Sequence, residues 1–94
     1  MSEHLDTAGA APQPTRQFVA NLNRLMEERG MTPYEVAAAA DIHRSHLSLI
    51  LDGARVVQLD TMVKLAGALG VDPAELLAGV RWVSDGRGGG EFEL

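Results

Sequence analysis

Over most of the chain, apolar residues recur every three or four positions and a glycine or aspartate closes each set, a pattern of short amphipathic helices. From Arg16 to Arg29, Phe18, Leu22, Leu25 and Met26 share one stripe with Val19 beside it, and Gly30 is placed as the stop of helix one. Thr32, Pro33 and Glu35 compose a capping box with proline at the first helical position, and Val36, Ala37 and Ala40 follow as the inner face of helix two. Asp41 interrupts the run. Leu47, Ile50 and Leu51 then define helix three, which Asp52-Gly53 closes. Two short helices with a three- or four-residue joint predict a helix-turn-helix between Thr32 and Gly53. Leu59, Met62, Leu65, Ala66 and Leu69 predict a fourth helix ended by Gly70, and Asp72-Pro73-Ala74-Glu75 caps a brief fifth, with Leu76 and Leu77 before Gly79, that closes the bundle.

After Gly79 the period changes from helical to alternating. Val80 and Trp82 alternate with Arg81 and Val83, and Phe92 and Leu94 with Glu91 and Glu93, around a Gly-rich turn. A β-hairpin follows, in which Trp82 opposes Phe92, Val80 opposes Leu94 and Arg81 opposes Glu93. A flexible glycine tail is the competing reading. A two-stranded hairpin is marginal in water, so its apolar face has to be covered either by its own bundle or by a second chain. Residues 1–14 carry only Leu5 as a sizeable apolar group and read as a disordered arm, which leaves a helical domain at 15–79 and a tail at 80–94.

Charge complicates any nucleic-acid reading. The 94 residues carry a formal net charge of −5, whereas phosphate neutralisation favours basic proteins. Six basic residues face eight acidic ones between Thr15 and Gly79, so the compact part is nearly balanced and can present one positive face. The chain has no cysteine, which excludes disulfides, thiolate metal sites and cysteine nucleophiles. No apolar run spans a bilayer and the N-terminus lacks the marks of a signal peptide, so a cytoplasmic protein without membrane association is expected. His4, His43 and His46 suggest no nucleophile–base pair. His43 and His46, three residues apart, lack a third metal ligand, and Gly86 to Gly90 lack the lysine and following helix of a phosphate loop. The chain is read as a non-enzyme without a metal or cofactor.

The stretch from Phe18 to Leu77 resembles the lambda-repressor-like, or Cro/C1 (XRE-type), helix-turn-helix family. The carriers are the T-P-Y-E-V-A start at Thr32 to Ala37, the HRSHLSLILDG segment ending at Gly53, the LDTMVKLAGALGVDPAELL run from Leu59 to Leu77, and the spacings between them. The resemblance implies an all-α, five-helix bundle, with the hairpin appended, whose third helix enters the major groove of double-stranded DNA. Carried over by position, Arg44, Ser45 and Leu49 take base-facing places, His43, His46 and Ser48 lie close by, Thr32 and Tyr34 open the phosphate-facing helix two, and Arg55 sits in a loop that commonly meets the backbone. An arginine at that place can pair with guanine, and a leucine can touch a thymine methyl group. The implied function is a bacterial-type transcriptional regulator.

The chain also departs from the family. Where a phosphate-contacting glutamine often follows the threonine of helix two it has Pro33, leaving backbone N–H groups to meet an anion. Asp41 replaces the usual glycine of the joint, and Met26 and Leu51 replace a frequent arginine–glutamate pair, so packing is kept without a buried charge. So few cations imply a homodimer on a palindromic site, with Val80, Trp82, Phe92 and Leu94 as candidate dimer contacts. The alternative is a protein-interaction module or antitoxin-like partner on the same scaffold, meeting protein through Leu49.

Overall fold

The computed structural model describes residues 13–93. They form α1 (Gln13–Arg29), α2 (Pro33–Ala40), α3 (Arg44–Leu51), α4 (Leu59–Leu69), α5 (Pro73–Leu76), β1 (Arg81–Ser84) and β2 (Gly90–Glu93). Residues 1–12, most of the expected arm, and Leu94, an expected hairpin partner of Val80, lie outside them. Gln13 and Pro14, assigned to the arm from composition, belong to α1. Proline is tolerated in that first turn, where N–H groups have no intrahelical acceptor.

Four of the helices stop in the same way. Gly30, Asp41, Gly53 and Gly70 adopt left-handed φ values of 66°, 56°, 74° and 69°. The next residue then donates its N–H back to the carbonyl five positions earlier: Met31 to Met26, Ile42 to Ala37, Ala54 to Leu49 and Val71 to Ala66, at 3.0 to 3.1 Å. This reversal turns Met31, Ile42 and Val71 inward, where each packs half-buried against the core. Asp41 is the one described non-glycine residue with positive φ. Its short polar side chain tolerates that geometry, so the joint survives the loss of glycine.

Starts are equally local. The Glu35 N–H donates to Thr32 Oγ1 at 3.2 Å and the Thr32 N–H to Glu35 Oε1 at 2.9 Å, completing the box that opens α2. Asp72 and Glu75 repeat the exchange at α5. The core between these ends is built from Phe18, Leu22, Leu25, Met26, Val36, Leu47, Ile50, Leu65, Leu69 and Leu76, with Ala37, Ala40 and Ala66 small enough for helices to approach closely. Leu51 packs half-buried against this core, of which Met26 is a buried member.

The apolar pattern and the core part company at two leucines. Leu59 is 69% exposed, because it is the first residue of α4 and a helical side chain leans toward the N-terminus, past the edge of the bundle. Thr61, two residues further in, is buried. Leu77 is 40% exposed, because α5 ends at Leu76 and only that leucine turns inward.

One buried polar residue ties the ends of the bundle together. Asn21 sits on the apolar face of α1 at 1% exposure. Its Nδ2 donates to the carbonyls of Leu76 and Ala78, each at 2.9 Å, while Oδ1 accepts from Gln17 Nε2 at 3.1 Å and from an Arg24 Nη at 3.0 Å. All four hydrogen-bonding positions of the amide are filled, so its burial costs little and its removal strands the buried Leu76 carbonyl.

The tail is a hairpin in the predicted register, with Trp82 opposite Phe92 and Arg81 opposite Glu93. The two rings meet edge to face, 5.0 Å between centroids and 73° between planes, and Arg81 Nε lies 3.1 Å from Glu93 Oε1. Asp85 builds the turn: its Oδ1 accepts from the Arg87 and Gly89 N–H groups, and its own N–H donates to the Gly89 carbonyl at 2.9 Å. Gly90 lies under the Trp82 indole, so close that a Cβ there would meet Cζ2 at 2.7 Å. Every strand residue stays exposed, and Val80 just before β1 is half-buried. The bundle therefore does not cover the hairpin's apolar side.

Candidate nucleic-acid interface

α2 and α3 are joined by Asp41, Ile42 and His43, a turn short enough to hold the start of one helix beside the start of the other. Between them lies an open groove of about 570 Å³ lined by Pro33, Tyr34, Arg44, Ser45, Ser48, Leu51 and Asp52. Leu47 and Ile50 anchor the opposite side of α3 in the core, which forces Ser45 and Ser48 to face solvent.

The structure brings most of the expected site residues to this face, with differing freedom. Arg44, Ser45, Ser48 and Tyr34 are exposed around the groove, and Arg55 is exposed in the loop after α3. His43 precedes α3 without capping it, and its Nδ1 lies 3.1 Å from Ser45 Oγ. His46 and Leu49 are half-buried, so Leu49 is less outward than the helical period predicts. The Thr32 hydroxyl is engaged with Glu35, accepting from its N–H and lying 3.3 Å from its Oε1. The anion site expected at the start of α2 is correspondingly reduced: Pro33 has no N–H, that of Glu35 is capped, and the Glu35 carboxylate stands beside what remains.

Electrostatically the face is mixed. The Arg44 guanidinium lies over the Tyr34 ring, 5.0 Å from its centroid, and forms no ion pair with a described carboxylate. Asp52 lines the groove and exposed Asp41 stands at the turn, so cations do not have the surface to themselves. Among the described residues no three His, Cys, Asp or Glu side chains gather as a metal site, and no helix is long and apolar enough to cross a membrane. The arrangement presents arginine and hydroxyl groups from a helix of eight residues, a width that a DNA major groove admits. The sequence reading did not anticipate the Tyr34–Arg44 contact. Ten positions separate the two residues, beyond any helical spacing, and only the turn brings them together.

The family model for the Cro/C1-type helix-turn-helix DNA-binding domain matches residues 21–80. The chain belongs to that family. Among its relatives, the control protein C.BamHI of Bacillus amyloliquefaciens is 38% identical over 52 residues, a match that spans 55% of this chain and 64% of the relative. The chain thus accounts for less than two thirds of that protein's length. Two solved structures share the architecture. One is the restriction-modification controller protein C.AhdI from Aeromonas hydrophila, with a TM-score of 0.61 and 32% identity over 64% of this chain and 91% of that one. The other is the clp gene regulator ClgR from C. glutamicum, with a TM-score of 0.66 and 25% identity over 71% and 87%. Family membership covers all of α2 to α5 and leaves the start of α1 and the hairpin strands outside the matched residues.

Proposed function

We propose that the chain is a sequence-specific DNA-binding transcriptional regulator, acting in the cytoplasm, whose α3 reads the major groove. The observation that carries this reading is the family's helix-turn-helix with an exposed arginine, held without an ion pair, at the start of its third helix. Arg44, Ser45 and Ser48 address base edges, with His43, His46 and Leu49 flanking them. Tyr34 and Arg55 face the backbone, and Thr32 contributes by holding the first turn of α2 in place. In this reading the bundle, taken as residues 15–79, is the DNA-binding domain and 80–94 its assembly tail.

Two cations per protomer, Arg44 at the groove and Arg55 in the loop after α3, give weak binding by one copy, so the reading requires a symmetric homodimer on a palindromic site. Trp82 and Phe92, 53% and 44% exposed, form the contact we place first, continued by half-buried Val80. Exposed Leu59 and Val63, one helical turn apart on α4, form another apolar surface among the described residues. Sedimentation equilibrium distinguishes them, since Trp82→Ala with Phe92→Ala should yield monomers, whereas Leu59→Lys with Val63→Lys should leave a hairpin-mediated dimer intact.

The test of function is retention of duplexes from a randomised pool at low and physiological salt, followed by sequencing and fluorescence anisotropy. One phosphate contact from Arg55 in each protomer, about two per dimer, implies a loss of roughly 10-fold in affinity between 50 and 200 mM salt. Enrichment of a palindrome that Arg44→Ala no longer retains is the expected result. The open rings of Trp82 and Phe92 also favour a second reading, a protein-interaction module or antitoxin-like partner. Failure to retain any duplex at low salt, with salt-insensitive capture of a protein, would decide for it.

A further inference from the structure

We propose that Tyr34 is the positioning residue that holds Arg44 for reading guanine. The inference rests on the DNA-reading role proposed for α3. Tyr34 is the second residue of α2 and 61% exposed, and it takes no part in the core cluster, so folding does not account for an aromatic side chain there. Its ring instead carries the Arg44 guanidinium, 5.0 Å from the centroid. The platform is rigid. Pro33 fixes the backbone immediately before it, and the reciprocal hydrogen bonds of Thr32 and Glu35 close the same helical turn around it.

A carboxylate partner would order Arg44 equally well but would neutralise it and occupy its N–H donors. An aromatic face orders the cation and leaves both its charge and its donors available. Asp52 lines the groove yet forms no ion pair with Arg44, so the ring is the ordering contact. The guanidinium therefore meets DNA with part of its rotamer freedom already lost, which favours the bidentate geometry that distinguishes guanine from other bases. With Pro33 supplying no side-chain donor at the preceding position, α2 contributes to specificity through Tyr34.

The full chain is tested by fluorescence anisotropy on the palindrome recovered by selection and on duplexes altered at the base pair where Arg44→Ala loses discrimination. Tyr34→Phe keeps the ring and should retain discrimination within about twofold, whereas Tyr34→Leu should lower it about threefold to tenfold. The salt dependence should stay unchanged in both, because Arg44 keeps its charge. Equal losses in the Phe and Leu variants would replace the platform with a hydroxyl–phosphate contact. Intact discrimination in Tyr34→Leu, with Arg44→Ala defective, would overturn the platform alone. Unchanged base preference in Arg44→Ala, or no duplex bound by the parent chain, would overturn the DNA-reading role as well. Without DNA, NMR should show ring-current shifts of the Arg44 Hδ protons that vanish in Tyr34→Leu. Their absence from the parent chain would also overturn the platform.

Discussion

Asn21 offers the sharpest test of how this bundle is closed. Asn21→Ala removes two hydrogen bonds to the Leu76 and Ala78 carbonyls and two accepted from Gln17 and Arg24, leaving the Leu76 carbonyl stranded in the interior. The two bonds to the carbonyls, one buried and one part-buried, remove about 2 kcal/mol, and an unsatisfied carbonyl adds about 1 kcal/mol or more. A total near 3 kcal/mol is expected, a large share of the roughly 5 to 12 kcal/mol that a domain of this size possesses. Asn21→Asp keeps the shape of the side chain but turns an acceptor toward the two carbonyls, so it should be more damaging than alanine although it leaves no cavity. Urea denaturation followed by circular dichroism at 222 nm gives both values, with the slope checked for constancy. An alanine variant within about 0.5 kcal/mol of the parent, or an aspartate variant no worse than alanine, would show that these bonds do not hold α5 to α1.

Other perturbations report on separate parts of the chain. Gly90→Ala would drive a methyl group into the Trp82 indole and the Val83 carbonyl oxygen, so the near-ultraviolet dichroism of the single tryptophan should collapse while the helical signal at 222 nm persists. At the left-handed joint, Asp41→Gly should stabilise the domain slightly and Asp41→Val should destabilise it by about 1 to 2 kcal/mol, read as opposite shifts of the urea midpoint. Thr32→Ala removes the cap of α2 and should cost about 1 kcal/mol. If this variant also weakens DNA binding, the loss should be reproduced by Glu35→Ala, because both residues hold the turn that carries Tyr34.

The sequence by itself determined everything governed by contacts between near neighbours. Stripes of Phe18, Leu22, Leu25 and Met26, or of Leu65, Ala66 and Leu69, are buried as their spacing requires, since helical period alone places them on one face. Capping boxes at Thr32 and Asp72 and the stops at Gly30, Asp41, Gly53 and Gly70 were legible because each is completed within a few residues. The hairpin register followed from alternation on both sides of one turn. Most of the candidate site was legible too, since it lies on one eight-residue helix whose inner face is set by Leu47 and Ile50.

Only the tertiary structure decided what depends on elements meeting. Leu59 and Leu77 satisfy the apolar pattern and still face solvent, because a stripe does not reveal where the neighbouring helix ends. Asn21 is buried because the end of α5 supplies two carbonyls, more than fifty positions away, to its amide. Arg44 and Tyr34 belong to different helices, and the angle set by the turn at Asp41 puts one side chain over the other. Local hydrogen bonding is encoded residue by residue. The partners of a side chain that leaves its own helix are set by the packing of the whole bundle.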